Sequence, residues 1–275
     1  MEHVAAERVP TSASAGSPTL TLGGRVWKVS RPKPFVLVIH GGSDEPSTEL
    51  HSTLLDEASR ASFYDLVDRT GLVVCKRFAA THSTYRDVRG RSSRGRLSQG
   101  EYFHHDGCSG PTKPRIVEIR CPYQEFARNV ATAVAPFDRV IPAMFAALPR
   151  HLQEKVDPTW HEQDAERTQG LLNRMIRREL AAEDARAFFR AVDEASDAYV
   201  EPWERGESRF IANENRGKTM QHRRAYQEVH RGGVPTGRLV KRWPAEEVLS
   251  ASESLDPQIA ALLRCESEAS CQREG

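Results

Sequence analysis

The sequence predicts a single β-rich domain with helices packed on its outside. Short apolar runs of strand character precede a long helical stretch, and strand-like segments return after it. A helical stretch bracketed in this way by strands reads as an insertion into one domain, not as two domains in series. At 275 residues the chain is long enough to bury a substantial core.

The elements follow in order. Residues 1–18 are rich in Ser, Ala and Pro and read as a loose N-terminal segment, and residues 249–275, which mix Ser and Glu without apolar periodicity, read as a loose tail. The domain is expected over 19–248. "FVLVIHGG", residues 35–42, is an apolar run stopped by a Gly pair and predicts a buried strand. In the segment after it Leu54, Leu55, Ala58, Ala61, Phe63, Leu66 and Val67 recur at helical spacing, and Gly71 ends the helix. "LVVCKRF" predicts the next strand.

Residues 83–100 form a Ser/Arg/Gly stretch, read as a loop with a lid over a site as its functional alternative. "RIVEIRC" alternates Ile116, Val117 and Ile119 with Glu118 and Arg120, the pattern of a strand with one wet face. "VATAVAP" is a further short strand. From about 138 to 199 the pattern turns helical, with "LLNRMIRREL" and "ARAFFRAVDEASDAYV" as amphipathic pieces. "SRFIANEN", "TMQHRRAY" and "GRLVKRW" then return to strand character.

Composition removes several classes of function. The 39 Lys and Arg nearly cancel the 38 Asp and Glu, so no overall field steers the protein toward nucleic acid or an anionic membrane. No apolar run approaches the ~18 residues of a membrane span, and "MEHVAAERVPTSASAGSP" lacks the apolar centre of a signal peptide, so a soluble cytoplasmic protein is expected. The five cysteines are odd in number and form no C-x-x-C pair, which suggests neither a disulfide framework nor a zinc ribbon.

The chemistry-bearing stretch is "GEYFHHDGCSGPTKP", residues 100–114. On a strand, a period of two puts His104 and Asp106 on one face and His105 on the other. Two histidines and one carboxylate on one side of a metal are the diagnostic donors of non-haem ferrous oxygenases, so a second histidine must come from elsewhere. His222, in the strand-like "ANENRGKTMQHRRAY", is the best placed of the remaining histidines. Arg238 and Arg242 are four apart in "GRLVKRW" and would share a strand face, where guanidinium groups can hold carboxylates by paired hydrogen bonds.

These motifs together resemble the iron(II)- and 2-oxoglutarate-dependent dioxygenases of the taurine dioxygenase and clavaminate synthase type. "FHHDG" is similar to the family's W-H-x-D motif with Phe103 in place of Trp. "NENRGKTMQHRRAY" is similar to its N-x-R-x-x-x-H-G-R motif with Arg223 in place of Gly, and "RLVKRW" to its R-x-x-x-R-x-W. The resemblance spans roughly residues 54–243 and is weakest in the central helical region. It implies a double-stranded β-helix, a jelly-roll barrel of two facing sheets, with the helical insertion outside. It also implies Fe(II), 2-oxoglutarate and O2 as cofactors, with His104, Asp106 and His222 as iron ligands, and Arg238 and Thr132 on the distal carboxylate of 2-oxoglutarate.

The expected reaction is hydroxylation of an unactivated C–H bond in a small molecule, with release of succinate and CO2. Free or carrier-linked amino acids and natural-product intermediates are the substrate classes the resemblance suggests, with no nucleic-acid or membrane partner. Arg242, Arg120, Arg224 and Tyr102 are the candidate substrate-binding residues. Halogenation, desaturation or cyclisation on the same scaffold remain alternatives; a register in which His105 and Gly107 replace His104 and Asp106 would suit chloride and a radical halogenase. A metal-dependent phosphohydrolase and a non-catalytic β-sheet binding protein are the rival classes.

Overall fold

The computed structural model describes residues 18–41, 57–76, 86–88, 97–106, 114–121, 130–204, 206–213, 219–226 and 238–243. The expected N-terminal segment (all but Pro18), the C-terminal tail, most of the 83–100 loop, Leu54, Leu55 and Gly107 therefore lie outside the described residues.

Among the described residues ten strands form two sheets: β1 (Thr19–Leu22), β2 (Arg25–Lys33), β3 (Val36–His40), β4 (Leu72–Lys76), β5 (Arg86–Val88), β6 (Ile116–Cys121), β7 (Val130–Pro136), β8 (Glu207–Ala212), β9 (Met220–Tyr226) and β10 (Arg238–Trp243). The larger sheet runs β1-β2-β3-β4-β8-β6-β10-β5, and β7 pairs with β9 in the smaller one. The helices are α1 (Glu57–Thr70), α2 (Phe137–Ala147), α3 (Arg150–Gln153), α4 (Ala165–Glu179) and α5 (Ala182–Ala195). The fold is thus a mainly β arrangement of a mixed sheet and a smaller second sheet, with a helical insertion where the sequence predicts one.

No element is expected before residue 35, yet the first two strands are a hairpin. Leu20, Leu22, Trp27 and Val29 are buried at alternate positions, and Gly23 and Gly24 both have positive φ (59° and 71°), the backbone that a two-residue hairpin turn requires. Strands β3 and β4 are parallel, and α1 makes the crossover that a parallel pair needs. Gly71 stops α1 at φ 105°; a Cβ there would stand 2.8 Å from Met220 Sδ, so glycine is required both by the backbone and by the closeness of β9.

Two apolar clusters hold the layers. One fills the space between the sheets and under α1, where Phe63 meets Phe210 edge-on at 4.7 Å. The other packs α2, α4 and α5 onto the far face of β7 and β9, using Ala133, Ala135, Val140, Met144, Ile176, Phe189 and Phe103. The amphipathic spacing of α4 and α5 produces this directly: Leu172, Met175 and Ile176, then Ala185, Phe188, Phe189 and Val192, are the buried stripes. Asp164 caps α4 by accepting from the Arg167 N–H at 2.8 Å.

A buried arginine ties the sheets together. Arg209 on β8 is fully buried, donates to Glu207 Oε1 at 2.5 Å and to the carbonyls of Thr132 (3.0 Å) and Glu201 (2.9 Å), and lies over the Trp203 ring at 4.1 Å. Both charges are out of water, so the pair holds only while both members are present.

One expectation is corrected. Glu118 and Arg120 do not line a wet face of β6; both are buried and bonded to each other at 2.8 Å. Glu118 stands opposite Phe210, whose ring is covered by α1, so this face of the sheet is roofed by a helix. A self-neutralising pair mimics, in sequence, the alternation of a solvent face.

Arg209→Ala would strand the Glu207 carboxylate in the interior, and a loss of about 3–5 kcal/mol in urea denaturation is expected; a loss below about 1 kcal/mol would show that the tie carries no strain-bearing role.

Candidate metal centre

The segment carrying the histidine pair lies beside β9 as a short extra strand. His104 and His222 face each other across an antiparallel bridge, each backbone N–H donating to the other's carbonyl at 3.1 and 3.2 Å. Residues directly opposite in such a pair project to the same face, and the imidazole rings accordingly meet with centroids 4.5 Å apart. Asp106 follows in a turn that brings its Oδ1 to 3.6 Å from His104 Nε2 and 3.8 Å from His222 Nε2. The donor atoms of the three residues all lie within 4.8 Å of one another.

The donor set fits a divalent transition metal. Neighbouring ligands with bonds of about 2.1 Å stand roughly 3 Å apart at right angles and at most about 4.2 Å apart, and both carboxylate–imidazole separations lie inside this interval. His104 Nδ1 is 2.8 Å from the Tyr102 carbonyl, which can only accept, so Nδ1 carries the proton and Nε2 presents its lone pair to the centre. Two imidazoles and one carboxylate suit iron, with positions left for small ligands.

Asp106 is held from behind by a residue the sequence reading passed over. Asn213, buried at the end of β8, accepts from the Asp106 N–H at 2.8 Å and donates to the carbonyls of Asp106 (3.0 Å) and Pro114 (2.8 Å). Its position just after the apolar run "FIA" is the available signal, since a polar amide closing a buried strand must satisfy its own donors and acceptor.

Of the other expected residues, Tyr102 is beside the centre, lending its carbonyl to His104 and packing its ring on Phe189 at 5.4 Å. Thr132 stands opposite Arg224 on β7, fully buried, with its hydroxyl accepting from Trp203 Nε1 at 3.1 Å. Arg224 lies against Gly100, whose added Cβ would meet the guanidinium at 2.6 Å. Arg120 is not brought to the triad; it is engaged with Glu118 under α1, because that face of β6 turns away from the smaller sheet. The backbone of β10 sets Arg242 opposite Val117 and Arg238 opposite Val88, while their side chains are outside what is described. His105 is not among the converging donors; it is buried against the Phe137 ring at 5.1 Å, with Nδ1 4.0 Å from Glu166.

No family model matches the chain, and no curated protein matches it. Several solved structures are similar. AAD-2, solved with Mn(II) and N-oxalylglycine, is 11% identical, with 79% of this chain and 97% of that chain covered at a TM-score of 0.43. PvcB, an iron, alpha-ketoglutarate-dependent oxygenase from an isonitrile synthetic pathway, is 12% identical, covering 88% of this chain and all of that one at 0.37. OrfP, a non-haem iron oxygenase solved with iron, succinate and hydroxy-arginine, is 14% identical, covering 72% and 82% at 0.32. At this distance the likeness is one of outline, and the chemistry is read from the donors themselves.

Asn213→Ala is expected to lower metal affinity about 10–100-fold, the usual cost of removing a residue that orients a ligand. Titration of Fe(II) or Mn(II) under exclusion of oxygen checks this, and an unchanged affinity would mean that the Asp106 turn is held without the clamp.

Proposed function

We propose that the chain is an iron(II)- and 2-oxoglutarate-dependent oxygenase that hydroxylates a C–H bond of a small molecule. The observation that carries the reading is the convergence of His104, Asp106 and His222 from separate segments onto one point, with the tautomer of His104 already set for ligation. Bound there, iron supplies the oxygen chemistry that couples decarboxylation of 2-oxoglutarate to oxidation of a substrate.

The residues themselves bind and orient. Asp106 contributes the one negative charge of the donor set, and the Asn213 clamp fixes the turn from which it projects. Arg238 is the proposed partner of the distal carboxylate of 2-oxoglutarate, where a planar, permanently charged group gives two parallel hydrogen bonds. Thr132, whose hydroxyl oxygen accepts from Trp203, has a proton that the same carboxylate can accept. Hydroxylation is preferred to halogenation because the position two residues after the bridging histidine is Asp106, and because His105 points elsewhere. The two histidines sit on extended backbone and Asp106 in the turn that follows, which separates the reading from a helical phosphohydrolase site.

Asp106→Ala should lower iron content and 2-oxoglutarate-dependent succinate release together, by at least about 100-fold in affinity, since the only charged donor is lost. His105→Ala should keep the iron while costing stability at its packed position. Iron analysis and succinate quantitation decide; retention of both by Asp106→Ala would contradict the assignment.

Arg238→Lys should raise the Michaelis constant for 2-oxoglutarate about tenfold or more and leave iron content unchanged, because an ammonium replaces the fork by a point charge. Steady-state succinate release against 2-oxoglutarate concentration reads this, and an unchanged constant would move the role elsewhere.

A further inference from the structure

A cleft of about 730 Å³ lies between α4 and the segment Tyr102, Phe103, His104 and His105; of the three candidate metal ligands His104 lines it, and Asp106 and His222 do not. Its size is that of a small-molecule site. Arg167, Asn173, Arg174 and Arg177 of α4 all line it, and their spacing of three, four and seven residues places them along one helix face. At 1.5 Å rise per residue the row from Arg167 to Arg177 extends about 15 Å.

The three arginines are exposed, and among the described residues none of them forms an ion pair with a carboxylate. The nearby acids have other work: Asp164 caps the helix, and Glu166 faces His105. Asn173 donates to the Phe103 carbonyl at 3.2 Å, which stitches α4 to the strand bearing His104, and its Oδ1 is buried with no donor among the described residues. Gly170, in the middle of the same face, is exposed and would have nothing within 4 Å of an added Cβ, so the α4 wall leaves open space there. Glycine in a helix interior costs about 1 kcal/mol relative to alanine.

We propose that this cleft is the substrate site and that its occupant is an anionic small molecule, bearing a carboxylate or phosphate group that Arg174 and Arg177 hold while its apolar part lies along Tyr102 and Phe103 toward His104. Guanidinium groups present planar paired donors to such oxyanions, and the three of them outnumber Asp164 and Glu166, the two acids of the same lining, so the wall carries a net positive charge. The substrate's acidic group is thus assigned to arginines of the helical insertion and not to Arg120, which is occupied elsewhere. Naming the occupant as substrate rests on the oxygenase reading of the same site; the binding itself does not.

The test therefore uses binding, with neither iron nor turnover. Anilinonaphthalene sulfonate combines an apolar body with one anionic group, and its neutral counterpart phenylnaphthylamine lacks the charge. Fluorescence titration of the full chain should show saturable binding of the sulfonate. The pair Arg174→Gln with Arg177→Gln should weaken it about tenfold, the effect of losing charge-assisted hydrogen bonds, without a matching change for the neutral dye. Arg178→Gln, on the same helix but outside the cleft, should leave the affinity as it is. Gly170→Phe, which fills the open space at the α4 wall and removes no charge, should weaken both dyes. Displacement of the sulfonate by adenosine monophosphate would mark a phosphate-bearing substrate class, and displacement by benzoylglycine a carboxylate-bearing one. Sulfonate affinity within twofold of the parent protein in the Arg174, Arg177 double variant, or in Gly170→Phe, would overturn the proposal. Failure of iron binding or succinate release would instead overturn the oxygenase reading and leave this result standing by itself.

Discussion

The site depends on one pair of backbone hydrogen bonds. The reciprocal bridge between His104 and His222 fixes the register of the histidine segment against β9, and that register decides which side chains meet. A slip by one residue would turn the imidazoles to opposite faces and put Gln221 or Arg223 where His222 stands. Everything specific to the centre follows from it: the ring approach, the reach of Asp106 from the following turn, and the carbonyl of Tyr102 positioned to orient His104.

The opposite face of β9 shows how the register is kept. Gln221 and Arg223, which flank His222, project toward the helices and are both buried. Gln221 donates to Gln169 of α4 at 2.5 Å, and Arg223 Nε donates to Asp193 of α5 at 2.8 Å while its guanidinium lies over the rings of Phe103 and Phe189. Burial lifts the Asp193 carboxyl above its ordinary range in spite of the attraction of Arg223, so the ion pair adds specificity of position more than net stability. The helical insertion is in this sense a clamp on the strand that carries His222, and it also supplies one wall of the cleft that His104 lines.

Much of this was legible in the residues, for identifiable reasons. An apolar run ending in a glycine pair marks β3, Gly71 marks the end of α1, the apolar run after it marks β4, and the two-residue period singles out His104 and Asp106. The β1–β2 hairpin is encoded by its Gly23–Gly24 turn and alternating Leu20, Leu22, Trp27 and Val29, a weaker signal than a continuous apolar run because only one face of these strands is buried. Arg120 misled because a buried ion pair and a solvated face share one sequence pattern. Asn213 and Asp193 act through partners distant in sequence, which no local pattern discloses. Arg223, which stands where the similar family has glycine, is explained by Asp193: the position needs a long cation because a carboxylate waits on α5.

The central claim is that His104, Asp106 and His222 hold one metal ion. Crystals grown without oxygen and soaked with Fe(II), measured at the iron absorption edge, test it most directly. The account predicts a single anomalous peak within bonding distance of both Nε2 atoms and of an Asp106 carboxylate oxygen. A peak bound by other residues, or none at these three, would contradict it.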